Sequence, residues 1–426
     1  VKRLNVSEKI RWPFIFFALL SLSLIFTHAS AQLSYKETRR ENRDRLYRNI
    51  IKNTINGNLS RPLNDSTEEY WQDAFWAMIV TRYKSPWVTN KIHVAFANLK
   101  NRSNEFQRSL LELGCALYPD VFNEEVKYYL GNDPDSTLFA LAETYLLLSP
   151  ATSKNYLEGL LKKKISDNPG SVILERFKKE AFSAPRFITV NEWKQLFEKK
   201  FLPGKPVLFS IQRHNRDYPG IMIFRDSNGN FLKDSLGSLI YYPQLARSLT
   251  NLPWYFRNGN TPQGIYRMAG FDVSGSVFIG PTPNLQMRMP YEIGPNVFLD
   301  SGPEDSVWTI DRYAFILPGQ LKNRSQLYES YYAGLLGRTE IIAHGTTVDP
   351  ELYNSLPCYP LTPTQGCLTS KEIWDDRTGI LKDSDQRRMV DALLKAGGSG
   401  GYVVVLELDD KNEPVMAEEL MPMLTP

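Results

Sequence analysis

The hydrophobic repeat of this chain changes its period once, near residue 203, and that change limits the fold more than any other feature of the sequence. From Tyr35 to about Lys200 apolar residues return every three or four positions, as in Trp71, Phe75, Met78 and Ile79, in Leu110, Leu113 and Leu117, and in Leu138, Leu141, Tyr145 and Leu148. This spacing lays apolar side chains along one face of a helix. A short helix from Val190 to Phe201 closes the series. Beyond Pro203-Gly204-Lys205-Pro206 the apolar runs are short and bounded by Gly, Pro and Asn. Val207–Gln212, Gly220–Arg225, Gly264–Phe271, Val277–Gly280, Ala314–Leu317, Thr339–Ala343 and Tyr402–Leu408 read as strands, and Ser227-Asn228-Gly229-Asn230 as a hairpin turn. Helices are expected in this half only near Ser325–Gly334, Ser370–Asp375 and Asp385–Ala396. The fold class is therefore α+β and multidomain: a helical domain over residues 32–202 and a β-rich domain over 203–426, each with its own core and each able to fold alone.

Three helix ends in the first half carry the same punctuation, Tyr83-Lys84-Ser85-Pro86, Ala116-Leu117-Tyr118-Pro119 and Leu147-Leu148-Ser149-Pro150, with the prolines 33 and 31 residues apart. Each is followed by a second amphipathic stretch (Val88–Leu99, Val121–Leu130, Thr152–Leu161). Helix pairs repeating at this period are the pattern of a solenoid, whose concave face would take a protein or glycan ligand. The bland alternative is a helical packing domain. Cys115 and His93 fall within these helices and read as a small core residue and a locally bonded ring.

With 42% hydrophobic and 23% charged residues the chain is neither disordered nor a polytopic membrane protein. The net charge of +3 is split into a basic first half and an acidic second half, and neither is polybasic enough for sequence-independent nucleic-acid binding. Residues 1–31 read as an export signal: Lys2, Arg3, Lys9 and Arg11 precede the apolar run Trp12 to Phe26, and Ala29-Ser30-Ala31 offers a cleavage site. A membrane anchor is the competing reading, against which the run is short of the roughly 20 residues a span needs. Export would place the protein in the periplasm or cell envelope.

Past residue 31 only three cysteines and three histidines remain (Cys115, Cys358, Cys367; His93, His214, His344), with no Cys-x-x-Cys, no His-Glu-x-x-His and no Walker or dinucleotide glycine motif. No zinc site and no nucleotide chemistry are signalled, so no metal or cofactor is expected. One constellation carries chemistry. His344 follows the apolar Ile341-Ile342-Ala343 and is followed at once by Gly345; 23 residues after it comes Cys367, in Thr364-Gln365-Gly366-Cys367-Leu368. A cysteine after a glycine turn presents its sulfur beside backbone N–H groups that can hold an oxyanion. A disulfide between Cys367 and Cys358, permanent or reversible, is the structural alternative in an exported protein.

The same segments, His344-Gly345 and Thr364-Gln365-Gly366-Cys367-Leu368, with Thr261-Pro262-Gln263-Gly264-Ile265-Tyr266 upstream, resemble the motifs of the L,D-transpeptidase family of bacterial cell-wall enzymes, over roughly residues 205–410. The resemblance implies a β-sandwich of mixed sheets with short helices and a cysteine acyltransferase that needs no cofactor. Cys367 would attack a carbonyl of a peptidoglycan stem peptide and expel the terminal D-alanine. An amine of another stem, or of a protein lysine, would resolve the thioester, with His344 as base and then acid. An adjacent histidine would also raise the thiolate fraction. Gly345, Thr364 and Gly366 would support the site and its oxyanion. Gln365 and Thr369 depart from the family, which commonly has histidine or arginine at the first position and arginine at the second; Arg338 or Arg377 would then have to hold the substrate. A sortase-like enzyme lacks its Thr-Leu-x-Thr-Cys strand here, and papain-like enzymes place cysteine before histidine. The reading from another class is a non-catalytic envelope protein with a helical binding domain and a degenerate wall-binding β domain.

Overall fold

The computed structural model describes residues 32–424; the expected export signal, residues 1–31, lies outside them. Helix follows helix in the first half: α1 (Arg40–Asn49), prolonged by a π-helical stretch over Ile50–Gly57, α2 (Glu68–Thr81), α3 (Pro86–Ala97), α4 (Asn104–Leu117), α5 (Asn123–Leu130), α6 (Ser136–Leu147), α7 (Lys154–Asp167), α8 (Val172–Ala181) and α9 (Val190–Phe197). Their starts are set by local chemistry. Ser85, Ser103 and Ser153 accept the N–H of the residue three positions on, and Asp135 accepts those of Thr137 and Leu138. Pro86 occupies the first turn of α3, where no N–H is needed, while Pro119 and Pro150 sit in the turns before α5 and α7.

Alternate helices pack in a row, α2 on α4, α4 on α6 and α6 on α8. Gly114 lets α4 approach its neighbours, since a Cβ there would lie 3.0 Å from the Phe96 ring and 3.1 Å from Tyr145. The Tyr145 hydroxyl on α6 accepts the N–H groups of Val121 and Phe122 and donates to the Tyr118 carbonyl, which fastens the α4–α5 turn. Leu148 departs from the expected apolar face and is exposed.

The second half builds one sheet of eight strands: β1 (Val207–Gln212), β2 (Gly220–Arg225), β3 (Tyr241–Gln244), β4 (Gly264–Asp272), β5 (Asn284–Arg288), β6 (Ile342–His344), β7 (Leu368–Thr369) and β10 (Tyr402–Glu407), in the order β3-β2-β1-β10-β4-β5-β6-β7, with β8 (Glu372–Trp374) and β9 (Leu381–Ser384) as a separate hairpin. The β1–β10 and β6–β7 pairs are parallel and the others antiparallel. Leu245, next after β3, exchanges hydrogen bonds of 2.8 and 2.9 Å with Thr369 of β7, so the two edges meet. In place of the sandwich that the resemblance implies there is a single mixed sheet rejoined at its edges, with helices α10 (Pro295–Leu299), α11 (Ile310–Ala314), α12 (Glu329–Leu335), α13 (Asp385–Ala396) and α14 (Met421–Leu424) inserted around it. Val277–Gly280 is a turn and Ala314–Leu317 the end of α11 rather than strands, and the stretch expected as a helix from Ser370 is β8. Glu372 and Trp374 there point inward and Ile373 outward, a period-two alternation too short to read without its partner β9.

One core spans both halves. Leu208, Met222, Tyr266, Met287, Ala343 and Val405 on one face of the sheet meet Met389 and Leu393 of α13, and the cluster continues through Trp254, Tyr255 and Phe256 into the helices at Leu141 and Phe177. The other face, with Phe209, Ile223 and Val404, packs on Trp193, Leu196 and Phe197 of α9. From Leu33 onward the chain is a single compact unit, without a break near residue 203. Further ties link the helices to the loop after β6: Arg43 Nη2 donates to the Thr347 carbonyl at 3.0 Å and the Tyr353 hydroxyl to the Val80 carbonyl at 2.8 Å.

Candidate active site

The turn that carries Cys367 is built from its own sequence. Thr364 Oγ1 accepts the Gly366 N–H at 3.1 Å and donates to the Cys367 carbonyl at 3.0 Å. Gly366 has φ of 114°, and a Cβ there would fall 2.6 Å from the Gly259 carbonyl oxygen and against Arg338 Nη2. Only glycine fits. The Gly366 N–H, spent on Thr364, is not free for an oxyanion; Thr364 and Gly366 shape the turn. Cys115 and Cys358 are buried and Cys367 is half-buried, and all three are free thiols. Cys358 packs with Leu245 and Leu361 rather than pairing with Cys367.

His344 ends β6, as expected from its place after an apolar run. The register pairs Ala343 with Leu368 and His344 with Thr369, so Cys367, one residue before Leu368, points to the same side of the two strands as His344. His344 Nδ1 donates to the Gly345 carbonyl at 2.5 Å, a tautomer assigned from this contact, which leaves the Nε2 lone pair unused. Burial holds the imidazole down at about 4, so the ring is neutral. The sulfur donates instead to the Glu340 carbonyl at 3.7 Å, and no hydrogen bond joins it to His344. Burial pushes the thiol above its ordinary value, against a smaller opposing pull from the Ile342 N–H and the Arg338 charge. The expected thiolate–imidazolium pair is thus not formed: thiol and imidazole are both neutral, and His344 does not line the cavity onto which Cys367 opens. Gly345 serves by its carbonyl, and its Cα lies against Glu372, where a Cβ would come within 2.7 Å of Oε1. Glu372, buried and bonded to the Thr346 N–H at 3.0 Å and the Ser384 hydroxyl at 2.8 Å, is raised by desolvation to about 7.

Of the two arginines expected to hold substrate, Arg338 lines the space around Cys367 and Arg377 does not. Arg338 is 3% exposed and donates to the carbonyls of Trp254, Gly259 and Asn260, the latter two at 2.9 Å, so it braces the loop beside Gly366. Arg377 is exposed in the Asp375–Gly379 turn that pairs with Tyr35, and it does not line the space around Cys367.

That space is a cavity of about 660 Å³ whose walls come from both halves of the chain. Gln72 and Trp76 of α2 and Arg108 and Glu112 of α4 face Arg257, Asn258, Glu340, Gln365 and Cys367. Asn258 Nδ2 donates to Glu112 Oε2 at 2.8 Å, and Arg108 holds the other oxygen at 3.0 Å, which fastens the two walls together. Among the charged groups of the cavity, Arg257, Arg338 and Glu340 have no ion pair within 4 Å, and Arg338 is spent on backbone carbonyls. The helical wall, Arg257 and Glu340 had no signal in sequence, because what unites them is the packing of α2 and α4 on a distant loop. Among the described residues no group of three or more His, Cys, Asp or Glu is placed to hold a metal, and no helix is long and apolar enough to cross a membrane. Comparison with protein-family models, with curated proteins and with solved structures finds no match.

Proposed function

We propose that this chain is an exported cysteine acyltransferase of the L,D-transpeptidase type, acting on peptidoglycan stem peptides through a thioester on Cys367. The observation that carries this reading is the opening of the single half-buried thiol, held by a glycine turn, into the cavity, with a neutral strand-end histidine on the same side of the adjacent strand. As the carbonyl of the donor is attacked, His344 Nε2 takes the thiol proton and returns it to the departing D-alanine amine. Arg257, a cation of the cavity with no ion pair, takes the role first given to Arg338 and Arg377 and meets a carboxylate of the stem. The row of helices, as a repeat-like domain, supplies the opposite wall rather than a separate binding module.

Incubation with purified muropeptides, and separately with a carbapenem, followed by intact-mass measurement, tests the proposal. A single adduct on Cys367, with turnover abolished in Cys367→Ala, is the expected result. Adducts on Cys115 or Cys358, or exchange by the Cys367→Ala protein, would remove it. The absent His344–Cys367 hydrogen bond favours the reading as a non-catalytic envelope protein, for which no adduct would form.

A further inference from the structure

Glu340 lines the cavity beside the nucleophile and has no counter-ion. Its carbonyl accepts the Cys367 thiol at 3.7 Å, and its N–H is held by Glu292 Oε1 at 2.9 Å. The backbone between these two anchors has φ of 62°, a left-handed conformation that a glutamate rarely adopts. The anchored backbone leaves the side chain exposed at the cavity wall, with no hydrogen bond and no ion pair. Its charge is felt at the sulfur, where it opposes ionisation of the thiol. A carboxylate in this place works against the first half of an acyl transfer, since it disfavours the thiolate. It favours the second half if the group that resolves the thioester arrives as a cation.

We infer that Glu340 is the specificity residue for the acceptor, drawing a protonated primary amine to the thioester carbonyl; this rests on the acyl-transfer reading above. At neutral pH such an amine arrives as an ammonium ion. It gives one proton to His344 Nε2 or to solvent and attacks the thioester carbonyl. The C–N bond forms, the C–S bond breaks, and the thiolate takes a proton back, so an ammonium and a thioester become an amide, a thiol and one released proton. The Glu340 carboxylate does not touch the reacting atoms; it raises the local concentration of the cation and thereby favours amide formation over hydrolysis.

The test uses the full chain, acylated on Cys367 by a stem tetrapeptide, and compares capture by D-alaninamide, a cation, with capture by hydroxylamine, which is neutral at pH 7. Wild type is expected to favour the cation, and less so at high salt. Glu340→Gln should lower capture by D-alaninamide roughly four- to tenfold, the effect of one partly screened charge at about 5 Å. Capture by hydroxylamine should stay unchanged, and acylation of Cys367 should be no slower, since the charge that opposes the thiolate is gone. Glu340→Asp, which keeps the charge, should restore most of the preference. Equal loss with both acceptors, or no loss with either, overturns the assignment of Glu340 and leaves the acyl-enzyme standing. If wild-type Cys367 forms no adduct at all, the acyl-transfer reading and the assignment fall together.

Discussion

A pH profile of Cys367 alkylation separates a neutral thiol–imidazole pair from a preformed ion pair. Lowering His344 from 6.5 to about 4 makes its protonation harder by about 3 kcal/mol, and burial makes the thiol slower to give up its proton than a free cysteine. Both shifts act against the ion pair, and the thiolate is a minor species at pH 7. Alkylation by iodoacetamide, followed by mass spectrometry at each pH, should rise tenfold per unit through pH 8 and level off only above 9, without a plateau near pH 6. The thiolate absorbance near 240 nm should rise in the same range. His344→Ala should leave this profile nearly unchanged, because burial and not His344 sets how hard the resting thiol is to ionise, but should cut acyl transfer at pH 7 sharply and leave some reaction at high pH. An alkylation plateau beginning near pH 6 and lost in His344→Ala would show a resting ion pair and refute the reasoning.

Glu372 and His344 should pull stability in opposite directions with pH. The carboxyl, raised to about 7, holds a proton in the folded state that the unfolded chain gives up near 4.5, so its contribution falls between pH 4.5 and 7 by about 3 kcal/mol. The imidazole, lowered to about 4, contributes stability that is lost as pH falls from 6.5 to 4, by a similar amount. Glu372→Gln should therefore unmask a steep rise of urea-unfolding stability between pH 4.5 and 6.5, and a flat curve in that variant would refute the pairing. Gly366→Ala should cost about 1–3 kcal/mol in backbone strain and further in contact with the Gly259 carbonyl, with loss of the Cys367 adduct, whereas Gly237→Ala, with φ of 83° and nothing near, should pay the backbone cost alone and keep the adduct. Activity should be indifferent to reductant, since Cys358 is buried away from Cys367, and a requirement for reductant would revive a reversible bridge. A fragment from residue 203, deprived of α9 and of the helices over Trp254 and Phe256, should expose these faces and bind a hydrophobic dye; cooperative unfolding without dye binding would show that the β-rich half stands alone.

The local rules of the sequence reached far along this chain. Capping serines, the glycine turn before Cys367 and the apolar run that ends at His344 are decided within a few residues, by hydrogen bonds and backbone sterics that need no distant partner. Val207–Gln212, Gly220–Arg225 and Asp385–Ala396 coincide with elements of the structure for the same reason. What needed the tertiary structure was everything set by long-range contact. The strand Asn284–Arg288 is recognisable only between its neighbours, and Glu372–Trp374 only against β9. The charge state of the site depends on burial, which turns an expected ion pair into a neutral thiol and imidazole. The fate of Arg338 depends on three carbonyls from a loop about 80 residues away, which turn an expected substrate ligand into a brace. The cavity itself exists because Glu112 on a helix meets Asn258 on a loop 146 residues later, a juxtaposition that no period or motif within either segment contains.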